Sequence, residues 1–238
     1  MNIWTHFFGS LYMAYVALDS LIEVFSSCDA STTTYCSHNL AFSFFSISAT
    51  ICFFFSSIFH WFQCCSEGSH KNLLRLDLTG ASLLVTGDFV GVIYYGFYCR
   101  PFFHKLYLTQ CLVTMAVSLY APWASGMVAG VKMGPMIFAV LCLLGLVPLM
   151  HWFFTAPADV LARVGTGFAC MFASNGIGFV FYATKFPERF YPKSFFATQV
   201  FASHTVWHWF GLSAVYWMLK SLREYRIIMS DENICASS

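Results

Sequence analysis

Three histidines stand in stretches that are otherwise apolar: His60 in ICFFFSSIFHWF, and His204 and His208 in FASHTVWHWFGL. A His-x3-His pair on a helix places both imidazoles on one face, one turn apart. A third imidazole from a distant segment would complete a three-ligand site for Zn2+, with one position left open for water. Bound there, water falls from a pKa of about 16 toward about 7. Asp77 is the candidate general base that hydrogen-bonds this water. Ser56, four residues before His60 and on the same face, is the candidate group to orient the water or stabilise an oxyanion. The natural substrate for such chemistry is a lipid amide or ester entering sideways from a bilayer.

The competing explanation is packing. A single histidine in a membrane helix more often hydrogen-bonds a neighbouring helix than binds metal, and His6 and His151 read that way or as interfacial residues. Intramembrane ionisable groups are costly and point to function, although paired structural roles also exist.

The elements that must position these residues are membrane helices. The 238 residues are 58% hydrophobic, 20% aromatic and only 10% charged, against about 25% charged in a soluble domain. A net charge of +1 offers no argument for a nucleic-acid partner. A span needs about 20 apolar residues, and seven stretches qualify: roughly 3–26, 40–64, 76–98, 104–123, 133–155, 164–184 and 198–220. They are continuously apolar rather than alternating, which excludes a barrel. The expected fold is all-α, a single polytopic seven-transmembrane helix bundle with antiparallel neighbours. Residues 1–18 lack a basic start and a small-residue cleavage site, so they read as the first span rather than a secretory signal. No soluble domain is expected at either end. Gly165, Gly167, Gly176 and Gly178 suit close packing of the sixth helix, and Pro148 suits a kink in the fifth.

Helix parity then brings the chemistry together. His60 falls near the end of the second span, Asp77 at the first turn of the third, and His204 and His208 in the first turns of the seventh. All four lie on one side of the membrane at similar depth. Seven spans put the termini on opposite sides. Lys71, Arg75, Lys132, Lys185, Arg189 and Lys193 collect on one side, and Arg100, Lys105, Arg163, Lys220, Arg223 and Arg226 on the other. Without the C-terminal tail the balance favours a cytoplasmic N-terminus.

Other residues have simpler expectations. Asp88 lies mid-membrane, eleven residues after Asp77 and on its face. It either lines a polar cavity beneath the metal or sits protonated against a polar neighbour. Asp19 and Glu23 read as interfacial. Most of the ten cysteines read as small buried hydrophobes. Cys28 and Cys36 share a polar loop and are candidates for a disulfide in an oxidising compartment. Cys64 and Cys65, at a helix end near His60, read as interfacial cysteines, with metal ligation and palmitoylation as alternatives.

The chain resembles the progestin and adipoQ receptor (PAQR) family, in particular its adiponectin-receptor-like branch. The resemblance is carried by Asn2-Ile3-Trp4-Thr5-His6, Ser56-x3-His60, Leu76-Asp77, Tyr94-Tyr95-x-Phe97-Tyr98-Cys99, Val147-Pro148-x2-His151, Pro187-Glu188-Arg189-Phe190-Tyr191-Pro192 and Ser203-His204-x3-His208. The Ser-His, Asp and His-x3-His set is shared with alkaline ceramidases and haemolysin III-like proteins, whereas the Pro-Glu-Arg-Phe-Tyr-Pro loop points to the receptor branch. The resemblance implies zinc on His60, His204 and His208, Asp77 on the zinc-bound water and Ser56 nearby. It also implies a cytoplasmic N-terminus and an external or lumenal C-terminus. The expected role is a signalling receptor of the plasma membrane or Golgi, binding a lipid, steroid or protein hormone among membrane lipids, with ceramide hydrolysis as its enzymatic activity. The chain departs from the family at Cys64-Cys65-Ser66, where Cys-His-Ser is common, at Asp88, where a small or hydroxyl residue is usual, and at Pro192-Lys193, where Pro-Gly is usual. A receptor or scaffold with purely structural zinc is the main alternative. A channel or transporter built around Asp88 is a third reading.

Overall fold

Serine and threonine hydroxyls buried in an apolar helix need acceptors, and the second helix supplies them from its own backbone. Ser43, Ser46, Ser48, Thr50 and Ser57 each donate to the carbonyl four residues earlier, so the helix stays polar-satisfied without water. The computed structural model describes residues 1–27, 33–123, 133–230 and 235. Among them are seven long helices and no strand: α1 Asn2–Ser27, α2 Thr33–Phe62, α3 Glu67–Gly96, α4 Pro101–Tyr120, α5 Met133–Thr155, α6 Ala158–Thr184 and α7 Ser203–Met229. A 3-10 turn, Ala121–Trp123, follows α4, and a π-helical turn, Phe196–Val200, precedes α7.

α1, α2, α3 and α6 are each long and apolar enough to cross a membrane, and α5 adds the apolar stretch Leu143–Thr155. The 27 residues of α7 reach about 40 Å at 1.5 Å per residue. The exterior is apolar, with Phe25, Phe102, Tyr120 and Phe154 among many exposed rings. That surface suits acyl chains and would be an aggregation hazard in water. The molecule is an all-α polytopic membrane bundle.

Helix ends differ from the hydropathy boundaries for local reasons. α3 starts at Glu67 rather than at residue 76, because Ser66 caps it by accepting from the Ser69 backbone N–H at 3.0 Å. Asp77 is therefore in the third turn of α3 and not in the first. α7 starts at Ser203 rather than residue 198 and continues to Met229. α5 runs as a helix through Pro148.

α1 packs on α2, α2 on α3 and α6 on α7. Of the four glycines expected at close approaches, Gly167 and Gly178 stand at them. A Cβ on Gly167 would collide with Ser221 Oγ, and one on Gly178 would lie 2.8 Å from Phe210 Cβ. Gly176 faces open space and Gly165 meets only Leu161 of its own helix. The core is built from Met13, Phe45, Tyr95, Phe168, Met218 and Leu222, among others.

The end carrying the α7 C-terminus is held by polar contacts. Arg226 reaches Glu23 at 2.8 Å and Asn39 at 3.2 Å, so Glu23 is an ion-pair partner as well as an interfacial residue. Cys99 and Cys235 form a disulfide at this end. This corrects the assignment of Cys99 to the scattered apolar cysteines. Two residues so far apart in sequence offer no spacing signal. Cys36 is also disulfide-bonded, whereas Cys28 lies outside the described residues.

Candidate metal centre

α1, α2 and α7 bring their polar residues to one end of the bundle. His60 stands in the last turn of α2, and His204 is the second residue of α7, with His208 one turn on. His204 Nε2 lies 3.1 Å from His60 Nε2 and 3.3 Å from His208 Nε2. Ligand atoms of all three lie within 4.8 Å of one another. His208 is buried, at 2% exposure, while His60 and His204 are half-buried.

This convergence has a definite chemical meaning. A neutral imidazole Nε2 carries either one proton or one lone pair. His204 Nε2 faces two other Nε2 atoms and cannot serve both well with one proton or one lone pair. A cation can take all three lone pairs. A tetrahedral divalent ion with metal–nitrogen bonds of about 2.0–2.1 Å holds neighbouring nitrogens about 3.3 Å apart, which agrees with the spacing here. The triad can hold a metal ion.

The remaining ring nitrogen of His208 favours the tautomer with a free Nε2. Thr5 Oγ1 donates to the Asn2 carbonyl at 3.0 Å. Its only proton is then used, so it can accept from His208 Nδ1, 3.5 Å away, which leaves His208 Nε2 with its lone pair. The Gln63 Nε2 amide lies 3.3 Å from His60 Nδ1 and donates to it. The start of α1 clamps α7 further, since Thr205 donates to Asn2 Oδ1 at 2.7 Å.

His6 packs differently from the expected interfacial or hydrogen-bonded histidine. Its ring stacks on His208 with centroids 3.8 Å apart, and neither of its nitrogens has a hydrogen-bond partner. The Asn-Ile-Trp-Thr-His spacing contained this clue, since Thr5 and His6 sit together at the start of α1. His151 lies on α5 away from the triad and pairs with the Tyr107 hydroxyl at 2.9 Å, as expected.

Asp77 of α3 lies close to Ser56, which is buried one turn before His60. Asp77 does not belong to the ligand set. Asp88 lies deeper on α3, with a buried Oδ1 that lacks a hydrogen-bond partner. Cys64 and Cys65 are exposed, free and outside the ligand set.

The loop before α7 also positions the site. Glu188 Oε2 accepts from the Ser203 backbone N–H at 2.8 Å, and its Oε1 accepts from the Ser203 hydroxyl. A carboxylate there satisfies an orphan donor and complements the helix dipole. Partial burial works to raise the Glu188 carboxyl, but the Ser203 hydrogen bonds and the Lys185 charge outweigh it and hold the group below its ordinary 4.5.

Seven long helices with an apolar exterior define a polytopic membrane protein, and the histidine cluster at one end could hold a metal ion. The sequence matches the family described as "Haemolysin-III related" over residues 1–219, and the chain belongs to that family. It is 24% identical over 227 residues to mouse "Progestin and adipoQ receptor family member 3", covering 93% of this chain and 71% of that protein. It is 27% identical over 245 residues to the Drosophila melanogaster "Adiponectin receptor protein", covering 97% and 52%. It is 33% identical over 152 residues to "Heptahelical transmembrane protein 5" of Arabidopsis thaliana, covering 62% and 40%. These relatives place it with the adiponectin-receptor-like, receptor-type membrane proteins of the PAQR group.

Proposed function

We propose that this chain is a seven-span PAQR-type signalling receptor whose His60, His204 and His208 bind Zn2+ and whose site hydrolyses a lipid amide of the ceramide class. The observation that carries the reading is the meeting of three Nε2 atoms at 3.1 and 3.3 Å, with Asp77 close to Ser56, one turn before His60. When bound, the metal supplies positive charge that polarises a carbonyl and acidifies water. Asp77 accepts the proton of the attacking water and returns it to the departing amine. Ser56, close to Asp77, holds the carboxylate in place. Thr5 keeps the His208 tautomer that leaves its Nε2 free. The depth of the triad, one turn from the helix ends, suits a lipid whose amide lies at the interface and whose chains stay in the bilayer.

We place the triad end and the N-terminus on the cytoplasmic side of the plasma membrane or the Golgi. The disulfide-bonded Cys99, Cys235 and Cys36 support this, because they share the opposite end and disulfides persist in oxidising compartments. The extracellular or lumenal ligand is a lipid, steroid or protein hormone.

The test is zinc per mole of detergent-purified protein, followed by ceramide turnover. Wild type should carry about one zinc and the His60/His204/His208 triple alanine variant none. Asp77→Asn should keep zinc and lose turnover. Well-folded wild type without zinc would overturn the reading. A structural metal is the second reading, favoured by the burial of His208 and its clamp on α1. Under it, Asp77→Asn keeps metal, fold and signalling.

A further inference from the structure

The link between α2 and α3 is short and lies at the triad end of the bundle. Its backbone turns after the last α2 residues, with Gln63 N–H donating to Phe59 O at 2.8 Å and Cys65 N–H to Phe62 O at 3.1 Å. Ser66 then caps α3. Two adjacent thiols, Cys64 and Cys65, occupy this link, and both are exposed. The other free cysteines among the described residues are buried or half-buried.

Three observations converge on these thiols. First, the apolar span of α2 ends at Phe62, and Trp61 and Phe62 are 49% and 47% exposed. Aromatic residues of this kind mark the headgroup level of a bilayer, so the thiols sit at the membrane–water boundary. Second, the two are adjacent yet free, whereas the disulfide-bonded Cys36, Cys99 and Cys235 all lie at the other end. The split matches a reducing compartment at the triad end and an oxidising one opposite. Third, exposed apolar side chains of α2, including Phe54 and Trp61, lie on the membrane side of the link. An acyl chain attached at the link can return along that surface into the leaflet.

We propose that Cys64 and Cys65 are a thioester acylation site that takes a long-chain fatty acyl group from an acyl-CoA. The thiolate Sγ attacks the thioester carbonyl carbon, a new S–C bond forms, the acyl–CoA bond breaks, and coenzyme A leaves as its thiol with the proton. No oxidant or reductant is required. The product anchors the link beside Gln63, which contacts His60 Nδ1. The modification does not depend on metal at the triad, so it stands or falls separately from the hydrolase reading.

The test uses the full chain expressed in eukaryotic cells. Membranes are reduced, free thiols are blocked with maleimide, thioesters are cleaved with neutral hydroxylamine, and the released thiols are tagged with a polyethylene-glycol maleimide. Wild type should show one or two hydroxylamine-dependent mass shifts. Cys64→Ser/Cys65→Ser should lose them, and Cys170→Ser should keep them. The absence of any hydroxylamine-dependent shift in wild type, or its persistence in the double variant, overturns the proposal. The wild-type result alone can refute it, so folding of the variants does not decide the outcome.

Discussion

Glu188 lies outside the histidine cluster but controls the helix end that carries it, so removing its carboxylate should loosen α7 from its first turn. Glu188→Ala removes both hydrogen bonds to Ser203. Losing a capping side chain costs about 1 kcal/mol, and losing a carboxylate at a helix N-terminus costs about 0.3–1 kcal/mol. Glu188 is partly exposed, which keeps the total near 1–2 kcal/mol. That change makes local opening about 5–30-fold more frequent. Hydrogen exchange of a peptide covering residues 201–208 reads it directly, and metal-depleted protein removes any masking by the triad. The sign with pH follows from the depressed carboxyl. Its contribution is fully present above the ordinary value of 4.5 and is lost as pH falls through the lower folded value. Acidification should therefore loosen this peptide in wild type and have less effect in Glu188→Gln. Unchanged exchange in Glu188→Ala, with no acid response in wild type, would refute the capping role.

Other perturbations probe the packing. Gly167→Val should lower Tm by an amount equivalent to about 1–3 kcal/mol, because its Cβ would meet Ser221 Oγ, which itself bonds the Val164 carbonyl. Gly176→Ala should hold or slightly raise Tm, since that position faces open space inside α6 and a mid-helix glycine costs about 0.5–1 kcal/mol relative to alanine. Cys99→Ser opens a cross-link between residues 136 apart; the chain-entropy argument sets an upper bound of about 5 kcal/mol, and an unchanged Tm would count against the pairing. Asp88→Leu should raise Tm, because a buried polar atom without a partner costs about 1–3 kcal/mol; a lower Tm would reveal a partner for that carboxyl.

The sequence by itself determined the class of fold and the identity of the metal-site candidates. Continuous apolar runs of about 20 residues leave helices as the only workable spans, and the i,i+4 spacing of His204 and His208 is a local property of a helix. Parity then assigned His60 and Asp77 to the same end without any coordinates. The start of α3 was not legible from hydropathy, which locates the lipid-crossing part of a helix rather than its cap at Ser66. Tertiary structure alone decided what depends on contacts between distant segments. It brought three Nε2 atoms from two helices into mutual range, stacked His6 on His208, and placed Glu188 on the first turn of α7. It also paired Cys99 with Cys235. Each of these joins depends on how the helices rotate and pack about their own axes, and composition and periodicity do not specify those rotations.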